Sequence, residues 1–260
     1  MSLTPKLNSE AAVNLALWYR QFGDPAQVLS LEPAPLPPCA AEMLRVQMHY
    51  APVNASDLIP ITGAYRHRVA PPQVAGYEGV GTVIQAPGDF QHLLGQRVLP
   101  LRGMGCWQRY VDIQPALAIA VPDDISNTLA ARAYINPLAA LLMLQQWPVA
   151  GKNVLITAGG SACALLLAQW AQLMGAKQVM VVYRASAHAT RLQALGLEGL
   201  PESALEAIPA ISAQTDVVFD AVGGAVGQLI WQHLPQQAHF VAYGVLSGKP
   251  VQVNAGRPLL

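Results

Sequence analysis

Five small residues, Gly159-Gly160-Ser161-Ala162-Cys163, stand between an apolar run and a strong helix former. Residues of this size let a backbone turn tightly and bring its N–H groups close to a phosphate. A second apolar run, Gln178-Val179-Met180-Val181-Val182-Tyr183, ends on Arg184, and there is no acid from 182 to 187. At the end of a second strand an acid suits the ribose 2′-OH of NAD, whereas an arginine suits the 2′-phosphate of NADP. Together the two stretches point to dinucleotide binding with NADPH as the cofactor. Ser161, Ala162 and Cys163 are expected to offer backbone N–H groups to the pyrophosphate. The plainer alternative is an ordinary strand-to-helix connection and a surface arginine. The glycine pattern leaves that alternative open, because alanine stands at 162 and 164 and each methyl hinders close approach. Cys163 reads as a small, apolar-like turn residue rather than a nucleophile.

These residues need a strand before them and a helix after them. The run Asn153-Val154-Leu155-Ile156-Thr157-Ala158 is apolar and ends on small residues, as in a buried parallel strand. The turn is expected to occupy 159–164. A helix from Leu165 follows and is closed by Gly175. Asp216–Ala221 and Ala238–Tyr243 are further buried runs, with helical segments between the strands. Alternation of this kind predicts an α/β, doubly wound parallel sheet.

Residues before about 125 have a different character. Proline is dense, at Pro33, Pro35, Pro37, Pro38, Pro52, Pro60, Pro71 and Pro72. Short β-like runs alternate with turns at 13–18, 43–48, 80–84, 97–99 and 110–113, and the first of them extends back to Ala11. Gly76-Tyr77-Glu78-Gly79-Val80-Gly81 precedes a strand rather than a helix, so it reads as a turn with close backbone packing. Helical character begins near Ser126 and continues through Leu138–Trp147, next to Pro137 and before Pro148. The expected division is a mostly-β domain over 1–125 and a nucleotide-binding domain over 126–260.

Composition excludes several classes. Of 260 residues, 53% are hydrophobic and 12% charged, with formal net charge +0, so a large core is available and a basic nucleic-acid face is not. No uncharged apolar run reaches the roughly 18 residues of a membrane span. The start, Met1-Ser2-Leu3-Thr4-Pro5-Lys6, lacks the build of a signal peptide. Cys39, Cys106 and Cys163 lie far apart, without a paired framework, which suits a cytoplasmic setting.

With these motifs in order, the chain resembles the zinc-independent medium-chain dehydrogenase/reductases, and most closely their 2-enoyl thioester reductase and quinone oxidoreductase branch. The resemblance runs through Ala16-Leu17-Trp18-Tyr19, Phe22–Val28, Ala51-Pro52-Val53-Asn54-Ala55-Ser56-Asp57-Leu58 and Thr62-Gly63-Ala64-Tyr65. It continues through Gly76–Gly81, Asn136-Pro137, Asp220-Ala221-Val222-Gly223-Gly224 and Tyr243-Gly244. It implies a GroES-like mostly-β catalytic domain and a Rossmann domain, with the active site in the cleft between them. It further implies NADPH as hydride donor, with hydride going to Cβ and a proton to Cα of a 2-enoyl thioester. Quinone reduction is the alternative within the same family.

The resemblance also implies roles for single residues. Tyr65 falls at the place of the family's acid tyrosine, and a phenol can donate a proton to a developing enolate. The competing reading is a tyrosine packed in a loop between Pro60 and Pro71. Asn54 could orient the site or serve as turn chemistry after Pro52. Asp57 reads as a helix cap. Arg66 and Arg68 could meet a carrier's phosphates or form a solvated loop. Asn136, Tyr183, Ala221, Val222, Tyr243 and Gly244 join 159–163 and Arg184 on the cofactor side. No metal is expected, since Asn54 and Tyr77 stand where zinc-containing relatives place Cys and His.

A third possibility is a non-catalytic nucleotide-binding or interaction protein, suggested by Ala162, Ala164 and an early C-terminus. Family chains continue past the position of Leu260 into a sixth Rossmann strand and a return to the catalytic domain. The expectation is therefore a C-terminally incomplete sheet, with its fifth strand an open edge. A homodimer made through the sixth strand would lose that pairing.

Overall fold

A computed structural model of the chain describes residues 13–253. The start at Met1–Lys6, Ala11 and the final residues up to Leu260 fall outside them. The chain divides into two compact units, Met1–Ile135 and Asn136–Leu260.

The first unit is mostly β. Its strands are β1 (Asn14–Tyr19), β2 (Leu29–Ala34), β3 (Leu44–Tyr50), β4 (Gln73–Val74), β5 (Val80–Gln85), β6 (Arg97–Pro100), β7 (Tyr110–Ile113) and β8 (Ala118–Ala120). They form an antiparallel three-stranded sheet, β2-β1-β4, and an antiparallel five-stranded sheet, β7-β3-β5-β6-β8. Leu44, Val46, Val83, Val98, Val111 and Ile113 alternate inward along the second sheet and make its core. Short helices α1 (Pro25–Val28), α2 (Ala55–Leu58) and α3 (Asn127–Ala130) fill the connections. β2 was not anticipated, because Pro33 breaks the strand signal; as an edge strand it tolerates the missing donor. The glycine cluster is a turn, as read. Gly76 has φ +85°, and a Cβ there would meet Trp107 Cδ1 at 2.1 Å.

Helix α4 (Ile135–Gln146) starts on the last residue of the first unit and continues as the opening element of the second, with Pro137 in its first turn. A parallel sheet follows, made of β9 (Asn153–Ile156), β10 (Gln178–Tyr183), β11 (Glu198–Pro201), β12 (Val217–Asp220) and β13 (His239–Ala242). Strand order is β11-β10-β9-β12-β13, so the sheet grows outward from β9 to β11 on one side and, after a return crossover, from β12 to β13 on the other. That is the doubly wound arrangement, with β13 at one edge of the described sheet. The helices are α5 (Ala162–Leu173), α6 (Ala187–Ala194), α7 (Ile208–Ser212) and α8 (Gly224–His233). Two buried clusters lie on the two faces, one centred on Ile156, Leu167, Val181 and Phe219, the other on Leu155, Val182, Val218 and Ile230. Strands buried on both faces explain the unbroken apolar runs in the sequence.

One boundary differs from the sequence expectation. The turn does not run to 164; α5 begins at Ala162. Ser161 is its N-cap, and its hydroxyl accepts from Ala164 N at 3.2 Å. With that cap in place, the small residues 162–164 continue the helix rather than the turn. Among the described residues no helix is long and apolar enough to cross a membrane.

Candidate functional site

In the second unit, a cleft of about 530 Å³ lies at the C-terminal ends of the central strands. Ala158, Gly160 and Ser161 form its floor after β9; Arg184, Ala185 and His188 come from the end of β10 and the start of α6. Glu202 enters after β11, and Val222, Gly223, Ala225, Val226, Leu246 and Ser247 close the far side. The chain runs outward from β9 through β10 to β11, then returns to the other side of β9 for β12 and β13, so the connections on the two sides of β9 diverge and open a crevice.

Local geometry fixes each member of the turn. Ala158 takes φ +59°, a left-handed conformation uncommon for a residue with a Cβ. Gly159 donates its N–H to Val182 O at 2.8 Å, and a Cβ there would meet Val181 Cγ1 at 2.6 Å. Its role is close packing of the turn on β10, outside the cleft lining. Ser161 donates its N–H to Ala158 O at 2.8 Å, so it brings a hydroxyl rather than a free N–H to the helix end. The N–H groups of Ala162 and Cys163 belong to the first helical turn, which lacks intrahelical acceptors. Ala162 is exposed and Ala164 fully buried, so only the first of the two methyls faces outward. Burial pushes the Cys163 thiol up to about 11, which keeps it protonated and unreactive.

Opposite the turn, the buried Asp220 carboxylate accepts from Thr157 Oγ1 at 2.6 Å, Val222 N at 3.1 Å and Gly223 N at 2.9 Å. Thr157 Oγ1 in turn accepts from Ala221 N at 2.9 Å. Ala221 O takes Leu246 N at 2.8 Å, and a Cβ on Gly244 would stand 3.0 Å from the same oxygen. Burial, first, and then Cys163 and Asp220 hold the Tyr243 phenol above its ordinary pKa. Its buried hydroxyl lies beside Ser161 without a hydrogen bond of good geometry. The cleft, the first-turn N–H groups of α5 and Arg184 fit a dinucleotide phosphate. Of the remaining residues, Val222 and Arg184 line the cleft, Tyr183 packs against the core beside Gly199, and Asn136 lies in the first turn of α4. The sequence did not single out His188 or Glu202; His188 lies in the helix after β10 and Glu202 directly follows β11, and only the sheet brings them together.

The first unit carries a second cleft, of about 330 Å³, lined by Ser56, Tyr65, Arg68, Val69, Tyr77 and Ile135. Tyr65 is presented on the loop between α2 and β4, where its carbonyl accepts from Arg68 N and Val69 N. The Arg68 guanidinium lies 4.6 Å from the Tyr65 ring centroid, a cation–π contact that closes one side of the phenol. Arg66 Nε is instead spent on Gly63 O at 3.0 Å.

A buried polar frame holds the other side. Asp57 accepts from Asn54 N at 2.7 Å and from Tyr77 N at 2.9 Å, so it caps α2 and also positions Tyr77. Burial holds its carboxyl above the ordinary range, against the two backbone donors. Asn54 Nδ2 donates to Glu78 Oε1 at 2.7 Å, and Glu78 Oε2 accepts from Ile135 N at 2.8 Å. Burial raises Glu78 too. Asn54 is thus part of the frame beneath Tyr77 and does not line the cleft with Tyr65. Tyr77 is a second phenol in the cleft, held up by burial and then by Asp57.

The sequence has relatives consistent with this geometry. Residues 40–123 match the alcohol dehydrogenase GroES-like domain. A mitochondrial enoyl-[acyl-carrier-protein] reductase of Arabidopsis thaliana is 30% identical over 252 residues, spanning 92% of this chain and 67% of the relative. Among solved structures, a Bacillus thuringiensis protein assigned as an NADPH:quinone reductase is 35% identical with TM-score 0.84, covering 92% of this chain and 75% of that one. A complex of Etr1p with NADP and crotonyl-CoA, 22% identical with TM-score 0.77, covers 94% of this chain and 78% of that one, and bears on the fold alone. The β-rich unit, the parallel sheet and these relatives together make this chain an oxidoreductase of the zinc-independent medium-chain dehydrogenase/reductase family, in the branch of the enoyl thioester and quinone reductases.

Proposed function

We propose that this chain catalyses NADPH-dependent reduction of a 2-enoyl thioester. The observation that carries the reading is Tyr65, a phenol held under the Arg68 guanidinium at the edge of a mainly apolar cleft. Bound NADPH would supply the hydride that goes to Cβ. Tyr65 would give its proton to Cα, and solvent would reprotonate the phenolate left behind. Tyr77, protonated and fixed by the Asp57 carboxylate, would donate a hydrogen bond to the thioester carbonyl oxygen as charge develops there. Asn54 would act through Tyr77 rather than on substrate.

On the cofactor side, Ala162 and Cys163 would present N–H groups to the pyrophosphate, beside the Ser161 hydroxyl and the Gly160 backbone. Arg184 would hold the 2′-phosphate. Asn136, Ala221, Val222, Tyr243 and Gly244 would border the rest of the cofactor, with Gly159 and Tyr183 shaping the turn and strand. No metal has a part, because Asn54 and Tyr77 offer neither thiolate nor imidazole. The three unpaired cysteines fit a reducing compartment such as the cytoplasm.

Quinone reduction is the second reading, supported by the 35% identity to the Bacillus thuringiensis protein. Following NADPH consumption with crotonyl-CoA in one assay and a benzoquinone in another separates them. Preference for the benzoquinone, with no turnover of crotonyl-CoA, would replace the first reading by the second. Sedimentation of the same preparation tests for a homodimer.

A further inference from the structure

His188 lines the nucleotide cleft and has no part in the reading above. It lies in the first turn of α6, four residues beyond Arg184, and both side chains reach the cleft that Ser161 borders. Its ring rests on Gly160: a Cβ there would stand 2.3 Å from His188 Nε2 and 2.6 Å from Cε1. A Cβ at Gly160 would displace the ring, so the glycine lets the imidazole lie directly on the turn. The half-buried imidazole therefore sits against the turn that leads into the phosphate-facing helix end.

The charges around it give this placement a consequence. Arg184 faces the cleft from the end of β10 and Glu202 from the end of β11; Ser161 and Ser247 add only hydroxyls. Among the described residues, none of Arg184, His188 and Glu202 is held in an ion pair. One guanidinium against one carboxylate leaves no net charge for an anion. An imidazolium at His188 makes that end of the cleft positive.

We infer that His188 is a second phosphate-recognition residue, which joins Arg184 on the 2′-phosphate of NADPH and makes the preference for NADPH over NADH depend on pH. This rests on the cofactor reading proposed above. The sign follows from linkage: a bound phosphate favours the protonated ring, so the contribution is full at acid pH and is lost as pH rises. The phosphate's own second proton leaves near pH 6 in every variant, so the comparison is made between variants at one pH.

The test is fluorescence titration of NADPH and of NADH into the unmodified protein, His188→Gln and His188→Lys, at about pH 6 and about pH 8. At the lower pH His188→Gln weakens NADPH about tenfold, the low end for a charge-assisted bond, and NADH by less than about twofold. At the higher pH the same variant differs from the unmodified protein by less than about twofold for either cofactor. His188→Lys keeps tight NADPH binding at both. Equal losses for the two cofactors, or unchanged NADPH affinity of His188→Gln at the lower pH, would overturn the assignment. Absence of NADPH binding by the unmodified protein would overturn the cofactor reading, and this inference with it; that result shows before any variant is compared.

Discussion

Thr157 Oγ1 lies 2.6 Å from Asp220 Oδ1, and neither side chain is reached by solvent. The hydroxyl donates to the carboxylate and accepts from Ala221 N, so one threonine ties the end of β9 to the loop after β12. Asp220 then holds the backbones of Val222 and Gly223, which wall the nucleotide cleft. Replacing Thr157 by Val keeps the shape but leaves Ala221 N without its acceptor and Asp220 Oδ1 with only Val222 N. The expected loss is about 1–3 kcal/mol in urea unfolding, the cost of one orphaned buried group. Thr157→Ser keeps the hydroxyl and should lose far less. A Val variant as stable as the parent would mean that Ala221 N and Asp220 find other partners.

Tyr65 is tested by removing its hydroxyl alone. Tyr65→Phe preserves the ring beneath Arg68 and should cut turnover by about 10²–10⁴-fold, the range for a positioned acid. NADPH affinity should hold, because the nucleotide cleft is built from other residues. Steady-state kinetics beside a binding titration separates the two. Undiminished turnover would move the proton to Tyr77 or to water.

Arg184 carries the cofactor preference on the sequence side. Arg184→Ala should weaken NADPH roughly 10- to 150-fold and leave NADH little changed. Measured dissociation constants that rise equally for both cofactors would take the 2′-phosphate away from this residue.

Gly76 tests the turn that sets Tyr77. Alanine there must hold φ near +85° and place a methyl 2.1 Å from Trp107 Cδ1. Left-handed strain and overpacking together should cost about 2–4 kcal/mol, read as a lower unfolding midpoint. Trp107, anchored by Nε1 to Pro52 O at 3.1 Å, has little freedom to move aside.

The thiols give a pH-dependent readout of native packing. Burial above all raises Cys106 to about 12, and burial raises Cys163 to about 11. Near pH 8 only roughly one molecule in a thousand, or fewer, carries either as thiolate. Alkylation followed by peptide mass spectrometry should mark the half-buried Cys39 first and the other two only on unfolding. Rapid native labelling of Cys163 would reveal opening of α5 at the nucleotide cleft.

Periodicity and local chemistry determined much of this protein before any coordinates. The runs at 153–158, 178–183, 216–221 and 238–243 are strands because a parallel sheet is buried on both faces, and burial on both faces leaves an unbroken apolar signature in the chain itself. Gly76 could be read as a turn from its position before a strand, and Arg184 as a cation at a strand end. Other features have no local signature. β11 contains Gly199 and ends on Pro201, and it exists because its backbone completes hydrogen bonds to β10. Ser161 starts α5 three residues earlier than the expected turn allowed, through a single side-chain cap. Asp57 looks like a cap in sequence, but its second bond, to Tyr77 N, spans twenty residues and makes it part of the site. Glu202 meets Arg184 and His188 only because β10 and β11 end side by side. A sequence records what each residue needs from its neighbours along the chain; which distant partners share a buried polar frame or one cleft is decided by strand order and packing, where unpaired groups cost too much to leave unmatched.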